Sequence, residues 1–136
     1  MIEVVNRQRK ARIPDRDWSA LANKIVERIG RADSTATIAF VSDDRIRELN
    51  RTYRGVDRAT DVLSFPTGDE EVGQLGDIAI SAETAKAQAK QNGLTFEQEI
   101  AQLILHGLLH LGGYDHETDN GEMNRLELKL RRELGI

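Results

Sequence analysis

Residues 34 to 53 read STATIAFVSDDRIRELNRTY, and a change of period inside that stretch decides the fold. Ser34 to Val41 is rich in Thr, Ile and Val, side chains that suit a pleated, half-buried surface, so it reads as a strand. Ser42 then offers a hydroxyl to cap a helix through about Tyr53, with Ile46 and Leu49 facing inward. A strand that feeds directly into a helix is the building unit of an α/β sheet.

The unit recurs on both sides. Upstream, Glu3 to Asn6 predict a short strand, and Pro14 with Asp15 open a helix to Gly30 that carries Trp18, Leu21, Ile25 and Ile29 on one face. Downstream, Asp61 to Phe65 and Gln74 to Ile80 read as strands. Pro66 ends the first, and the loop TGDEEVG between them is expected to be exposed, mobile and placed to act as a lid. Ser81 caps a helix to about Asn92, and Thr95 with Gln98 forms a capping-box signature for a helix through about Leu111. Asp119 with Glu122 forms a second such signature, opening an amphipathic helix with Met123, Leu126, Leu128 and Leu130. With no internal repeat and no Pro- or Ser-rich linker, residues 1–136 predict one α/β (α+β) domain: a small mixed sheet of about four strands covered by helices.

Composition bounds the chemistry. The 136 residues (15.3 kDa) suit one core. The absence of cysteine removes disulfides, thiolate zinc sites, iron–sulfur clusters and cysteine nucleophiles together. The most apolar stretch, Ile100 to Gly113, is interrupted by Gln102, His106 and His110 and is shorter than the roughly 20 residues a membrane helix needs. The start MIEVVNRQRK has no signal-peptide pattern, so the expected location is the cytoplasm, with no membrane partner. The net charge of −4 hides an asymmetry: residues 1–60 hold 13 Lys and Arg against 9 Asp and Glu, and residues 61–136 hold 6 against 14. Two basic clusters, Arg7, Arg9, Lys10, Arg12 and Arg45, Arg47, Arg51, Arg54, Arg58, suit either a solvated face or the steering of a polyanion.

All three histidines of the chain lie in HGLLHLGGYDH, as His106, His110 and His116. The first two are one helical turn apart and project from one face. Gly112 and Gly113 supply the backbone freedom for a reversal that returns His116 to the same side. Three imidazoles and an open position form the layout of a catalytic rather than a structural zinc site, with Ni2+ or another imidazole-accepting divalent ion fitting the same donors. The offsets are also those of metzincin peptidases, but the position of their general-base Glu is here Gly107, which has no side chain to take a proton. Asp115 and Glu117, flanking the third histidine, are either acceptors that orient a ligand ring or ordinary turn acids. Tyr114 is read as a packing residue.

HGLLHLGGYDH, taken with TYRGVDRATDVLSFP (residues 52–66) and LGDIAIS (residues 75–81), resembles the YbeY family of bacterial metal-dependent endoribonucleases. The likeness runs along most of the chain from Ser42 onward and is weak in the first 30 residues. The resemblance implies a zinc-dependent hydrolase that cuts single-stranded RNA, not DNA, in 3′-end maturation of small-subunit ribosomal RNA and in ribosome quality control. It implies a ribosomal protein of the small subunit and a ribosome-assembly GTPase as partners. It places the metal on His106, His110 and His116, and the functional arginine at Arg54, whose planar, permanently charged fork can hold a phosphate through two parallel hydrogen bonds. Arg58, Arg51 and Lys10 would then guide the RNA backbone, and Ser64 and Phe65 line the cleft. Aromatic residues are only 4% of the chain, so affinity is expected to be mainly electrostatic. Two other readings use the same residues: a ribosome-assembly factor in which the histidines hold a structural ion, and a metal-dependent hydrolase of another substrate.

Overall fold

The computed structural model describes residues 1–67, 73–115 and 117–136. Its strands are β1 (Ile2–Asn6), β2 (Thr35–Val41), β3 (Val62–Pro66) and β4 (Gln74–Ser81), in one sheet of order β1-β2-β4-β3. β1 and β4 both run parallel to β2, and β3 pairs antiparallel with β4 at the edge. The helices are α1 (Trp18–Arg28), α2 (Asp43–Arg54), α3 (Ala82–Gln91), α4 (Phe96–Leu111) and α5 (Glu122–Leu134). This is the small mixed α+β sheet the sequence predicts. Among the described residues no helix is long and apolar enough to cross a membrane.

Strand periodicity divides the hydrophobic residues between two layers. Ile38 and Phe40 of β2 and Ile78 and Ile80 of β4 point to the side that also holds α1 and the apolar stripe of α4, Ile100, Ile104, Leu105 and Leu108. Their neighbours Val41 and Ala79, with Leu63 of β3, point the other way and meet only Ile46 of α2 as a fully buried partner. Among the described residues, one face of the sheet is therefore covered, and the other is covered only where α2 crosses it.

Caps fix where the helices begin. Ser42 accepts from the Arg45 N–H at 3.2 Å, Ser81 from the Thr84 N–H at 3.2 Å, and Thr95 and Gln98 form the reciprocal box that starts α4. Two starts differ from expectation. α1 begins at Trp18 because Asp17, not Asp15, accepts from the Ala20 N–H, and the Trp18 indole N–H donates to the Pro14 carbonyl, holding residues 14–17 as a turn. α5 starts after Gly121 with no side-chain cap of the expected kind: Asp119 lies two residues too early for a capping box and instead accepts from the Gly121 and Met123 N–H groups. Leu128 is 46% exposed and off the inward stripe, whose place is taken by Glu127 between Met123 and Leu130. Of the expected lid, residues 67–73, residues 68–72 lie outside the described residues, as does His116.

Candidate functional site

α4 carries both described histidines on one side, a turn apart, and their Nε2 atoms stand 3.1 Å from each other. The arrangement of His106 is set by α5. Its Nδ1 lies 2.8 Å from Glu127 Oε1, and an ionised carboxylate only accepts, so Nδ1 carries the proton and Nε2 presents its lone pair. Burial pushes the Glu127 carboxyl up, but the hydrogen bond from His106, with the nearby charge of Arg131 adding to it, overcomes that rise and holds it below the usual carboxylate range. Two imidazole nitrogens bound tetrahedrally to one zinc ion at about 2.0–2.1 Å stand roughly 3.3–3.4 Å apart, so the observed pair fits a shared ion. Among the described residues no group of three metal-ligating side chains occurs, and His116 lies outside them.

Gly107, between the two histidines, has a packing reason. A Cβ there would sit 2.9 Å from Ile78 Cδ1 in the core, so the buried Ile78 side chain would have to be displaced by any side chain at this position. Its carbonyl also accepts from Ser64 Oγ at 3.4 Å. After α4, Gly112 remains at φ −77° against Ile29, and Gly113 alone of the two glycines takes the left-handed conformation, at φ +96°. The change of chain direction after α4 thus rests on one glycine rather than both.

The histidines open on a cleft of about 430 Å3 between α4 and the edge strand β3. Arg54, from the last turn of α2, lines it and donates from Nη2 to the Ser64 carbonyl at 3.2 Å. Val62, Ser64 and Pro66 face this cleft because alternate strand residues share a side. Phe65 therefore cannot line it, contrary to expectation. It faces the opposite side, in edge-to-face contact with Tyr53 at 5.4 Å. Tyr114 lines the cleft while packing against the core, and Asp115 and Glu117 reach it as well. Asp115 Oδ1 accepts from the Glu117 N–H at 3.0 Å, which makes it a turn former, and the carboxylate on His106 is Glu127. Arg51, Arg58 and Lys10 are exposed and lie outside the lining of the cleft.

The family model described as Endoribonuclease YbeY matches residues 3–135. Similar curated proteins named Endoribonuclease YbeY include one from Solibacter usitatus, 53% identical over 97 residues (71% of this chain, 64% of that one). Those from Campylobacter fetus and Geobacter sulfurreducens are 39% identical over 119 residues (88% and 87% of the two chains) and 38% identical over 136 residues (96% and 91%). Among solved structures, the solution structure of a Thermotoga maritima protein superposes with a TM-score of 0.60 at 33% identity, covering 95% of this chain and 85% of that one.

Proposed function

This chain belongs to the YbeY endoribonuclease family, and on that premise we propose that it hydrolyses phosphodiester bonds of single-stranded ribosomal RNA in the cleft between α4 and β3. The observation that carries the reading is the convergence of the His106 and His110 Nε2 atoms, 3.1 Å apart, on a cleft that Arg54 also lines. An imidazole set suits zinc, with nickel or another divalent ion as neighbours in preference. His106, His110 and His116 would hold the ion, which supplies Lewis acidity at the scissile phosphate when bound.

The chain's own groups do the rest. Arg54 presents a guanidinium fork that grips the phosphate and offsets the charge that builds on it during cleavage. Its bond to the Ser64 carbonyl keeps the long side chain turned toward the cleft rather than free in solvent. Glu127 fixes the proton of His106 on Nδ1 and so keeps Nε2 directed at the site. No carboxylate follows the first histidine, and a side chain at Gly107 would meet buried Ile78 rather than the cleft, which disfavours a peptidase. We assign the activity to 3′-end maturation of small-subunit ribosomal RNA and ribosome quality control, in the cytoplasm, with a small-subunit ribosomal protein and an assembly GTPase as partners.

The test compares wild type, His110→Ala and Arg54→Glu in metal analysis and in cleavage of a single-stranded RNA. His110→Ala loses the metal and the cleavage while retaining its circular dichroism. Arg54→Glu keeps the metal and loses cleavage by a factor of about 100 or more, the scale of removing one charge-stabilising donor. Metal bound by wild type without RNA cleavage would replace this reading with that of a non-catalytic assembly factor. Cleavage unchanged in His110→Ala would remove the histidines from the chemistry.

A further inference from the structure

The partly covered face of the sheet holds a second groove that the cleavage reading does not use. Its floor is set by strand register. Ala39 of β2 and Ala79 of β4 are direct partners, and their methyl groups leave a flat strip where larger side chains would fill the space. Two residues along, Phe65 of β3 and Asp77 of β4 are partners on the same face, bounding the strip with an aromatic ring and a carboxylate. The side wall is α2, where Arg45, Leu49 and Tyr53 recur every four residues and line the groove together. The recess measures about 470 Å3.

Tyr53 is 68% exposed, an unusual place for so large an apolar surface, and it stands edge-to-face against Phe65. The charges are arranged around this ring pair. Arg7 closes the far end and begins the exposed basic run Arg9, Lys10 and Arg12. Arg45 stands on the α2 wall, with Nη1 2.9 Å from Glu48. Basic groups at the rim with an aromatic pair and one carboxylate inside match a nucleotide, which carries phosphate outside, a π-face within, and hydrogen-bonding edges. The groove also meets the histidine cleft: Pro66 lines both, and Tyr53 directly precedes Arg54.

We infer that this groove is a slot for one unpaired nucleobase of the RNA, stacked on Tyr53, whose ring stands edge-to-face with Phe65, with an exocyclic amino group toward Asp77. The flanking phosphates lie on Arg45 and Arg7. The slot rests on the RNA-cleaving reading, since the strand it holds is the one cut in the neighbouring cleft. It adds one stacking position to a binding mode that is otherwise electrostatic, and it favours cytosine over uracil, because a carboxylate accepts from the cytosine amino group and repels the uracil carbonyl.

Two measurements test it. Fluorescence anisotropy with a labelled ten-nucleotide single-stranded RNA compares wild type, Tyr53→Ala and Tyr53→Phe. Tyr53→Ala binds roughly 5- to 100-fold more weakly and Tyr53→Phe close to wild type, as expected where a ring stacks on a base. Equal binding by Tyr53→Ala overturns the slot, including the case in which the groove serves a protein partner instead. Chemical-shift mapping with cytidine monophosphate moves the amides of Ala39 and Ala79, and uridine monophosphate moves them less. Absence of shifts there, or shifts confined to the surroundings of His106 and His110, overturns it too. Cytidine monophosphate in the slot of a protein that cleaves no RNA would sink the nuclease reading and leave the slot standing.

Discussion

At the scale of single residues, the site turns on a glutamate that makes no contact with the cleft itself. Glu127 is 8% exposed and anchors His106 through Nδ1. Replacing it with Gln keeps an oxygen that can accept the bond but removes the charge that fixes the tautomer. Glu127→Gln should therefore lower metal affinity by about 10- to 100-fold, read by competition with a fluorescent chelator, with circular dichroism unchanged. Affinity equal to wild type would mean that the ring is held without it. The signal for this residue is present in the sequence. Met123, Glu127 and Leu130 follow the i, i+4, i+7 spacing of a buried stripe, and a carboxylate in the middle of such a stripe needs a partner. The two described histidines were legible because their spacing matches the helical period, whereas Asp115 and Glu117 drew attention only by adjacency to position 116.

At the scale of elements, local chemistry was readable and its exceptions have identifiable causes. Ser42, Ser81 and Thr95 cap the helices they precede because a cap needs only a side chain and an N–H two or three residues on. The starts of α1 and α5 differ from the sequence expectation because several acids compete in each turn, and geometry rather than composition selects Asp17 and gives Asp119 its wider reach. Strand β4 carries the sharpest constraint. Gly76 adopts φ +138°, and a Cβ there would lie 2.1 Å from the Phe65 carbonyl oxygen across the pair with β3. No rotamer relieves a clash with backbone. Gly76→Ala should cost at least about 2 kcal/mol and lower Tm by roughly 6–12 °C in a thermal unfolding scan. A loss under 2 °C would show that β3 shifts freely. Since β3 carries both the Ser64 carbonyl that holds Arg54 and the Phe65 ring, this strand positions both recesses at once.

At the scale of the whole molecule, what the sequence could not convey is the order of the strands and the uneven covering of the two faces. Both depend on which distant segments meet, and the basic first half and acidic second half are joined at the cleft where Arg54 of α2 faces the histidines of α4. The same long-range packing buries Glu99, 4% exposed in the first turn of α4. Burial raises its carboxyl above the ordinary value of 4.5. The Asn92 amide at 2.9 Å opposes the rise, Asp61 adds to it, and Arg131 opposes it. Because the folded state holds this proton more tightly than the unfolded chain, stability is greatest below pH 4.5 as far as this group is concerned, and falls as pH rises through the raised folded value. Glu99→Gln is neutral at every pH and retains an oxygen for Asn92. Denaturant titrations of the two proteins should therefore coincide near pH 4 and separate as pH rises through the titration, with the variant the more stable at pH 7. A gap that stays constant with pH, or a variant less stable at neutral pH, would show that the Asn92 bond and the Arg131 charge outweigh burial, and that α4 is anchored by the carboxylate rather than strained by it.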